Sequence, residues 1–212
     1  MIISMSDVIC VTNRKLCCED FLIRIEKLAC ARPKAIMLRE KDLPFKEYLS
    51  LAAKVTDICN AHDVPCILHS FFDVAAAMNA PFLHLPMDVL QKLSDSERKM
   101  FPVLGASCHS SEEAIRAQAL GCRYITAGHI FHTGCKSGLP GRGTDFLAAI
   151  CRSVSIPVYA IGGITPKNAA YVRKAGAAGI CIMSSAMTCR DPSELLASLQ
   201  SQPNKHITGE DK

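Results

Sequence analysis

Eight short apolar runs separated by segments of helical period constrain this chain more than any other feature of it. The runs cover residues 8–12, 35–39, 65–69, 82–85, 103–107, 124–127, 158–161 and 179–183. Each is too short for a helix and rich enough in Val, Ile and Leu for a buried parallel strand. Eight β/α units within 212 residues predict an α/β fold, a compact single-domain (β/α)8 TIM barrel, an architecture whose lower size limit is about 200 residues. A doubly wound open sheet is the competing architecture. It calls for a glycine-rich turn after the first strand, whereas Thr12-Asn13-Arg14-Lys15 contains no glycine. The barrel is expected to occupy residues 1–200, with 201–212 a polar, frayed tail.

The intervening segments carry helix signals. Phe45, Leu49, Ala52, Ala53 and residues 56–59 outline one apolar face. Ser110-Ser111-Glu112-Glu113 reads as a capping box. Thr165-Pro166 reads as a cap with a first-turn proline, for a helix that stops near Gly176. Asp191-Pro192-Ser193-Glu194 opens the last helix, which buries Leu195, Leu196 and Leu199.

Composition narrows the function classes. A net charge of +4, scattered Lys and Arg and 6% aromatic residues give no nucleic-acid footprint. No apolar run approaches the roughly 18 residues of a membrane span, and residues 1–7 lack the pattern of a secretory signal. Twelve cysteines contain no C-x-x-C pair. They read as small buried hydrophobes of a reducing cytoplasm, with Cys108 and Cys135 set apart because they flank strand ends.

The chemistry concentrates after the sixth run. His129 follows its end, where a barrel presents catalytic groups. A neutral imidazole there can take a proton and return it elsewhere near neutral pH. The following loop carries Lys136, Arg142 and four glycines, a cationic loop suited to closing over an anion. Gly162-Gly163 after the seventh run and Ser184-Ser185 after the eighth sit where barrels of this kind cradle phosphate. Arg39 ends the second run and would aim a planar donor fork from the mouth, unless Arg39-Glu40-Lys41-Asp42 is a loop of local ion pairs. His69, His84 and His132 read as rim, core and solvated residues, and the histidines show no metal-site spacing.

These residues resemble the thiamine phosphate synthase superfamily of (β/α)8 barrels over about residues 5 to 200. The likeness rests on Leu38-Arg39-Glu40-Lys41-Asp42, Ser107-Cys108-His109-Ser110-Ser111-Glu112-Glu113-Ala114, Gly128-His129-Ile130-Phe131 and Ala160-Ile161-Gly162-Gly163-Ile164. The superfamily implies two activities. Synthases join a hydroxymethylpyrimidine diphosphate to a thiazole phosphate with Mg²⁺. Thiazole tautomerases aromatise a thiazole carboxylate phosphate without metal. Synthases generally carry Asn-Asp after the third strand, where this chain has His69-Ser70. They carry a Gly-Gln-Glu-Asp-like segment after the fourth, where it has Pro86-Met87-Asp88-Val89. They carry a Gln two residues before the Arg, where it has Met37. Together with Gly128-His129-Ile130-Phe131 and its Cys135-Lys136 loop, these departures resemble the tautomerase branch.

The resemblance therefore implies a cytoplasmic isomerase with no metal or cofactor, whose partner is a small thiazole phosphate. His129 would be catalytic, and Arg39, Lys136, Gly162, Gly163, Ser184 and Ser185 would bind substrate. Pairing into a homodimer is expected, and nucleic-acid and membrane partners are not. The alternatives are thiamine phosphate synthase itself and a catalytically silent thiazole-phosphate-binding regulator. Another phosphosugar isomerase or aldolase barrel is a more generic one, although none of the eight runs contains the Lys an aldolase would need.

Overall fold

The computed structural model describes residues 6–134 and 139–200. Cys135, Lys136 and the expected tail over 201–212 lie outside them. Eight parallel strands close into a barrel in chain order: β1 (Val8–Val11), β2 (Ala35–Leu38), β3 (Cys66–His69), β4 (Phe82–Pro86), β5 (Val103–Cys108), β6 (Tyr124–Gly128), β7 (Val158–Ile161) and β8 (Gly179–Ile182), with β8 pairing back onto β1. The expected (β/α)8 barrel is thus the observed fold, and each strand end lies within one residue of its expected place.

The helices are α1 (Phe21–Cys30), α2 (Phe45–Ala61), α3 (Phe72–Ala77), α4 (Met87–Leu90), α5 (Asp95–Lys99), α6 (Ser111–Ala119), α7 (Gly143–Ser153), α8 (Ala169–Lys174), α9 (Ser184–Thr188) and α10 (Pro192–Gln200). Among the described residues, none is long and apolar enough to cross a membrane.

Strand alternation divides the core into two shells. One parity, including Val8, Cys10, Ile36, Leu38, Leu68 and Leu83, packs outward against the helices. The other fills the barrel with Ile9, Val11, Ala35, Met37, Ile67, Tyr124 and Cys181. Each fully buried aliphatic side chain contributes roughly 1.5–3 kcal/mol. One interior contact is unusually demanding. A Cβ at Gly105 would sit 2.3 Å from the Tyr124 ring, so glycine is what leaves room for that ring.

Three local expectations shift. The buried face of α2 is Tyr48, Ala52, Val55 and Cys59, while Phe45 is 44% exposed. Tyr48 fixes this rotation: its hydroxyl donates to the Leu38 carbonyl at 2.7 Å and accepts from the His69 amide at 3.1 Å. The helix expected at Thr165-Pro166 begins three residues later, at Ala169. There the Asn168 side chain accepts from the Thr165 amide and donates to the Gly163 carbonyl, holding a turn in place of a first helical turn. The Ser110 box is only half formed. Ser110 Oγ accepts from the Glu113 amide, but the Glu113 carboxylate takes the His109 amide. The last helix starts as expected, with Asp191 Oδ1 accepting from the Ser193 and Glu194 amides.

Candidate active site

A cavity of about 440 Å³ opens at the C-terminal ends of β1, β2 and β6–β8. It brings together Arg39, His129, Gly162, Gly163, Ser184 and Ser185. Val11, Ile161, Cys181 and Met183 supply apolar lining between them, and no carboxylate is among the described residues that line it. The cavity is therefore cationic at Arg39 and apolar at its base, a combination that suits a flat ring with anionic substituents.

The site around His129 is built by glycines. After β6 the chain stays paired to β7: the Ile130 amide donates to the Ile161 carbonyl and the Phe131 amide to the Gly162 carbonyl, each at 3.0 Å. This pulls His129 against the next loop. A Cβ on Gly162 (φ +103°) would lie 2.4 Å from the His129 Cβ, and one on Gly163 (φ +65°) 2.3 Å from the His132 carbonyl oxygen. Both positions thus need glycine for backbone conformation and for close approach, before any ligand is considered. The loop returns over His129 at its far end, where the Arg142 amide donates to the His129 carbonyl at 3.1 Å. The Arg142 guanidinium packs over the Phe146 ring at 4.8 Å and donates to the His109 carbonyl.

The His129 ring is half-buried, and its Nε2 lies 3.0 Å from the Pro140 carbonyl oxygen. A carbonyl only accepts, so Nε2 is the donor in this contact, and in the neutral form of the ring Nδ1 is the acceptor nitrogen. His109 is held in the complementary sense, with Nδ1 donating to the Gly128 carbonyl at 3.0 Å. Its Nε2 is then the acceptor, on another side chain lining the same cavity.

Arg39 owes its place to Arg14. The acids around Arg39 are not its partners: Arg14 binds Glu40 at 3.1 Å and Asp42 at 2.7 Å, Lys15 adds 2.9 Å to Asp42, and the Thr12 hydroxyl donates to Glu40 at 2.7 Å. The Arg14 guanidinium holds the Asp42 carboxyl well below the usual carboxylate range. The expected loop of local ion pairs therefore exists, but with Arg14 as its cation. Among the described residues no carboxylate pairs with Arg39, which lines the cavity instead.

The β3–β6 side of the interior is polar and closed. His84 Nδ1 lies 3.0 Å from the Tyr124 hydroxyl, and its Nε2 lies 2.9 Å from Ser107 Oγ. His69 Nδ1 lies 2.6 Å from Ser70 Oγ. Burial pushes His84 down to about 3 and His69 well below the ordinary imidazole value, with neighbouring positive charge adding to both shifts. Both are neutral, hydrogen-bonded core residues, as their strand positions suggested. Burial likewise pushes the Cys108 thiol up to about 12, which removes it as a nucleophile.

Residues 8–186 match the family profile described as thiamine monophosphate synthase, TMP-TENI. The chain belongs to this family. Thiamine-phosphate synthase 2 of Streptococcus pneumoniae is 34% identical over 187 residues, covering 85% of this chain and 87% of that protein. Thiamine-phosphate synthase of Moorella thermoacetica is 37% identical over 164 residues, covering 74% and 76%. Among solved structures, thiamine phosphate pyrophosphorylase from Pyrococcus furiosus aligns with a TM-score of 0.77 at 28% identity, covering 91% of this chain and 92% of that one. These family members are enzymes of thiamine biosynthesis, and their names are those of synthases.

Lys136 lies outside the described residues. Polar cavity residues that escaped the sequence reading of the site include His109 and Thr165. His109 directly follows β5, the same strand-end signal that singled out His129. Thr165 was read as a helix cap, and the Asn168 turn frees it from that role. His132, read as solvated, is exposed and also lines the cavity. A magnesium ion of the kind the synthase reaction uses would need hard oxygen ligands. The ends of β3 and β4 offer His69, Ser70 and His84, with Ser107 beside them, while Glu40 is buried and held by Thr12 and Arg14. The carboxylates nearest in sequence, Asp73 and Asp88, are exposed in the first turns of α3 and α4, so the strand ends themselves present imidazole and hydroxyl groups where the ion would need carboxylates.

Proposed function

We propose that this barrel is a metal-independent isomerase of thiamine biosynthesis, with His129 shuttling a proton on a thiazole carboxylate phosphate. The observation that carries the reading is the Pro140 carbonyl on His129 Nε2, which leaves Nδ1 as the basic nitrogen of a residue that lines a cavity with no carboxylate among its described lining. Nδ1 removes the proton from ring carbon C2. The electron pair moves into the ring, the exocyclic ylidene double bond shifts, and the imidazolium returns the proton to the exocyclic carbon. The product is the aromatic thiazole, and nothing is gained or lost overall. A single imidazole serves both steps on one ring face, and such a positioned group supplies about 10²–10⁴-fold. Amides of Gly162 and Gly163 and the Ser184 and Ser185 groups at the start of α9 receive the phosphate. Arg39 faces the carboxylate, and Lys136 is a further substrate-binding cation on this reading.

The second reading is thiamine-phosphate synthase. The names of the relatives support it, and support it better than they support an isomerase. The residues that weigh against it are His69-Ser70 and the carboxylate-free cavity. One experiment separates the two. The ylidene substrate is followed by ultraviolet absorbance with and without chelator, beside an assay of thiamine phosphate formation from the two precursors with Mg²⁺. Acceleration that ignores the chelator supports the isomerase. Metal-dependent condensation with no acceleration of aromatisation replaces it with the synthase. Binding of thiazole phosphate with neither activity leaves a silent binder.

A further inference from the structure

A second cluster of reactive side chains lies far from the barrel mouth. Glu26 and Cys30 are four residues apart on α1, so they share one helix face. His62 caps the C-terminus of α2 and meets them there. Its Nε2 lies 2.5 Å from Glu26 Oε1, and the Cys30 sulfur lies 3.8 Å from both ring nitrogens. One carboxylate oxygen, one sulfur and one imidazole nitrogen thus fall within 4.8 Å of one another, the one such group among the described residues. The C-termini of α1 and α2 feed β2 and β3, so the cluster sits at the end of the barrel opposite the cavity.

We propose that Glu26, Cys30 and His62 form a zinc site that clips α1 to α2. Tetrahedral zinc holds sulfur at about 2.3 Å and nitrogen or oxygen at about 2.0–2.2 Å, which sets sulfur–nitrogen separations near 3.5 Å. The observed 3.8 Å is within a few tenths of that. Glu26 must withdraw by about 1 Å on the same geometry, and its side chain is 50% exposed at the helix surface; the His62 ring, whose two nitrogens are equally far from the sulfur, must turn to aim Nε2 at the shared metal. A thiolate, imidazole and carboxylate set suits zinc or cobalt and is wrong for magnesium or calcium. Water completes the fourth position.

The test is a cobalt titration of the chelator-stripped full chain. The expected result is a thiolate-to-cobalt charge-transfer band that saturates at one equivalent and is displaced by zinc. Cys30→Ser abolishes the band, whereas Cys18→Ser, which removes another exposed thiol, leaves it intact. Zinc also raises the Tm of the wild-type chain but not of Cys30→Ser or His62→Ala, and it slows alkylation of Cys30 by iodoacetamide. Circular dichroism and a metal-free Tm matching wild type establish that each variant is folded. A wild-type chain without the band, or a band that survives in folded Cys30→Ser, overturns the site.

Discussion

Two sides of one barrel hold histidines in opposite states. On the β6–β8 side, His129 is half-buried, lines an open cavity and, among the described residues, has a hydrogen bond on Nε2 alone, to the Pro140 carbonyl. On the β3–β6 side, His84 is 1% exposed, has partners on both nitrogens and is pushed down to about 3. The residue type is the same, but of these two rings the first lines the cavity, where the proposed mechanism needs a proton carrier. What separates them is their surroundings. Glycines at 162 and 163 open the first side, while the Tyr124 hydroxyl and Ser107 close the second.

The sharpest way to break this contrast is to remove each ring. His129→Ala should lower the rate of thiazole aromatisation by about 10²–10⁴-fold while phosphate-ligand affinity, read by calorimetry, stays near wild type. His84→Ala should instead cost stability, seen as a lower Tm, with the rate per folded molecule held. Equal kinetic losses in the two variants would erase the distinction. Next in size is Gly162→Ala, where a Cβ meets the His129 Cβ at 2.4 Å in a backbone with φ +103°. It should destabilise by about 1–3 kcal/mol and cut the rate by displacing the ring. A fully active Gly162→Ala chain would mean that His129 tolerates being moved.

A milder probe is acid unfolding. The His84 pKa is depressed in the fold, so the unfolded chain takes up the proton first as pH falls. The associated stability is whole above the ordinary value of 6.5 and drains as pH drops toward about 3. The slope should reach up to ~1.4 kcal/mol per pH unit from this one group, and His69 acts in the same direction. Urea titrations across this range should steepen as predicted and flatten in His84→Gln. An unchanged slope in that variant would assign the acid sensitivity elsewhere. The smallest effect belongs to Ser110→Ala, which removes the α6 cap and leaves both histidines alone. It should cost about 1 kcal/mol with no kinetic change, and a kinetic change would tie the α6 start to the adjacent His109.

The barrel was legible because strand runs and helical spacing are local properties. Every strand could be placed from its own residues, and position after a strand end pointed to His129, Gly162 and Ser184. What escaped was whatever depends on two distant segments. Arg14 takes the acids beside Arg39 from 26 and 28 residues away, and no spacing rule announces that pairing. Tyr48 sets the buried face of α2 by reaching two different strands. Gly162 and Gly163 looked like a phosphate turn, yet the contacts that demand glycine there come from His129 and His132. Which reaction the mouth performs is the part least visible locally, since the relatives' names and the mouth's own residues pull in different directions.

The Gly105–Tyr124 contact has an evolutionary consequence. Because the phenol ring fills the space that any side chain at 105 would occupy, the two positions are locked to one another. A lineage that gains even a methyl at 105 must first shrink residue 124, and doing so strands His84 Nδ1 without its hydroxyl. Gaining a side chain at 105 therefore requires changes at 124 and 84 as well, and a homologue with a residue larger than glycine at 105 should be found to lack both the tyrosine and the histidine.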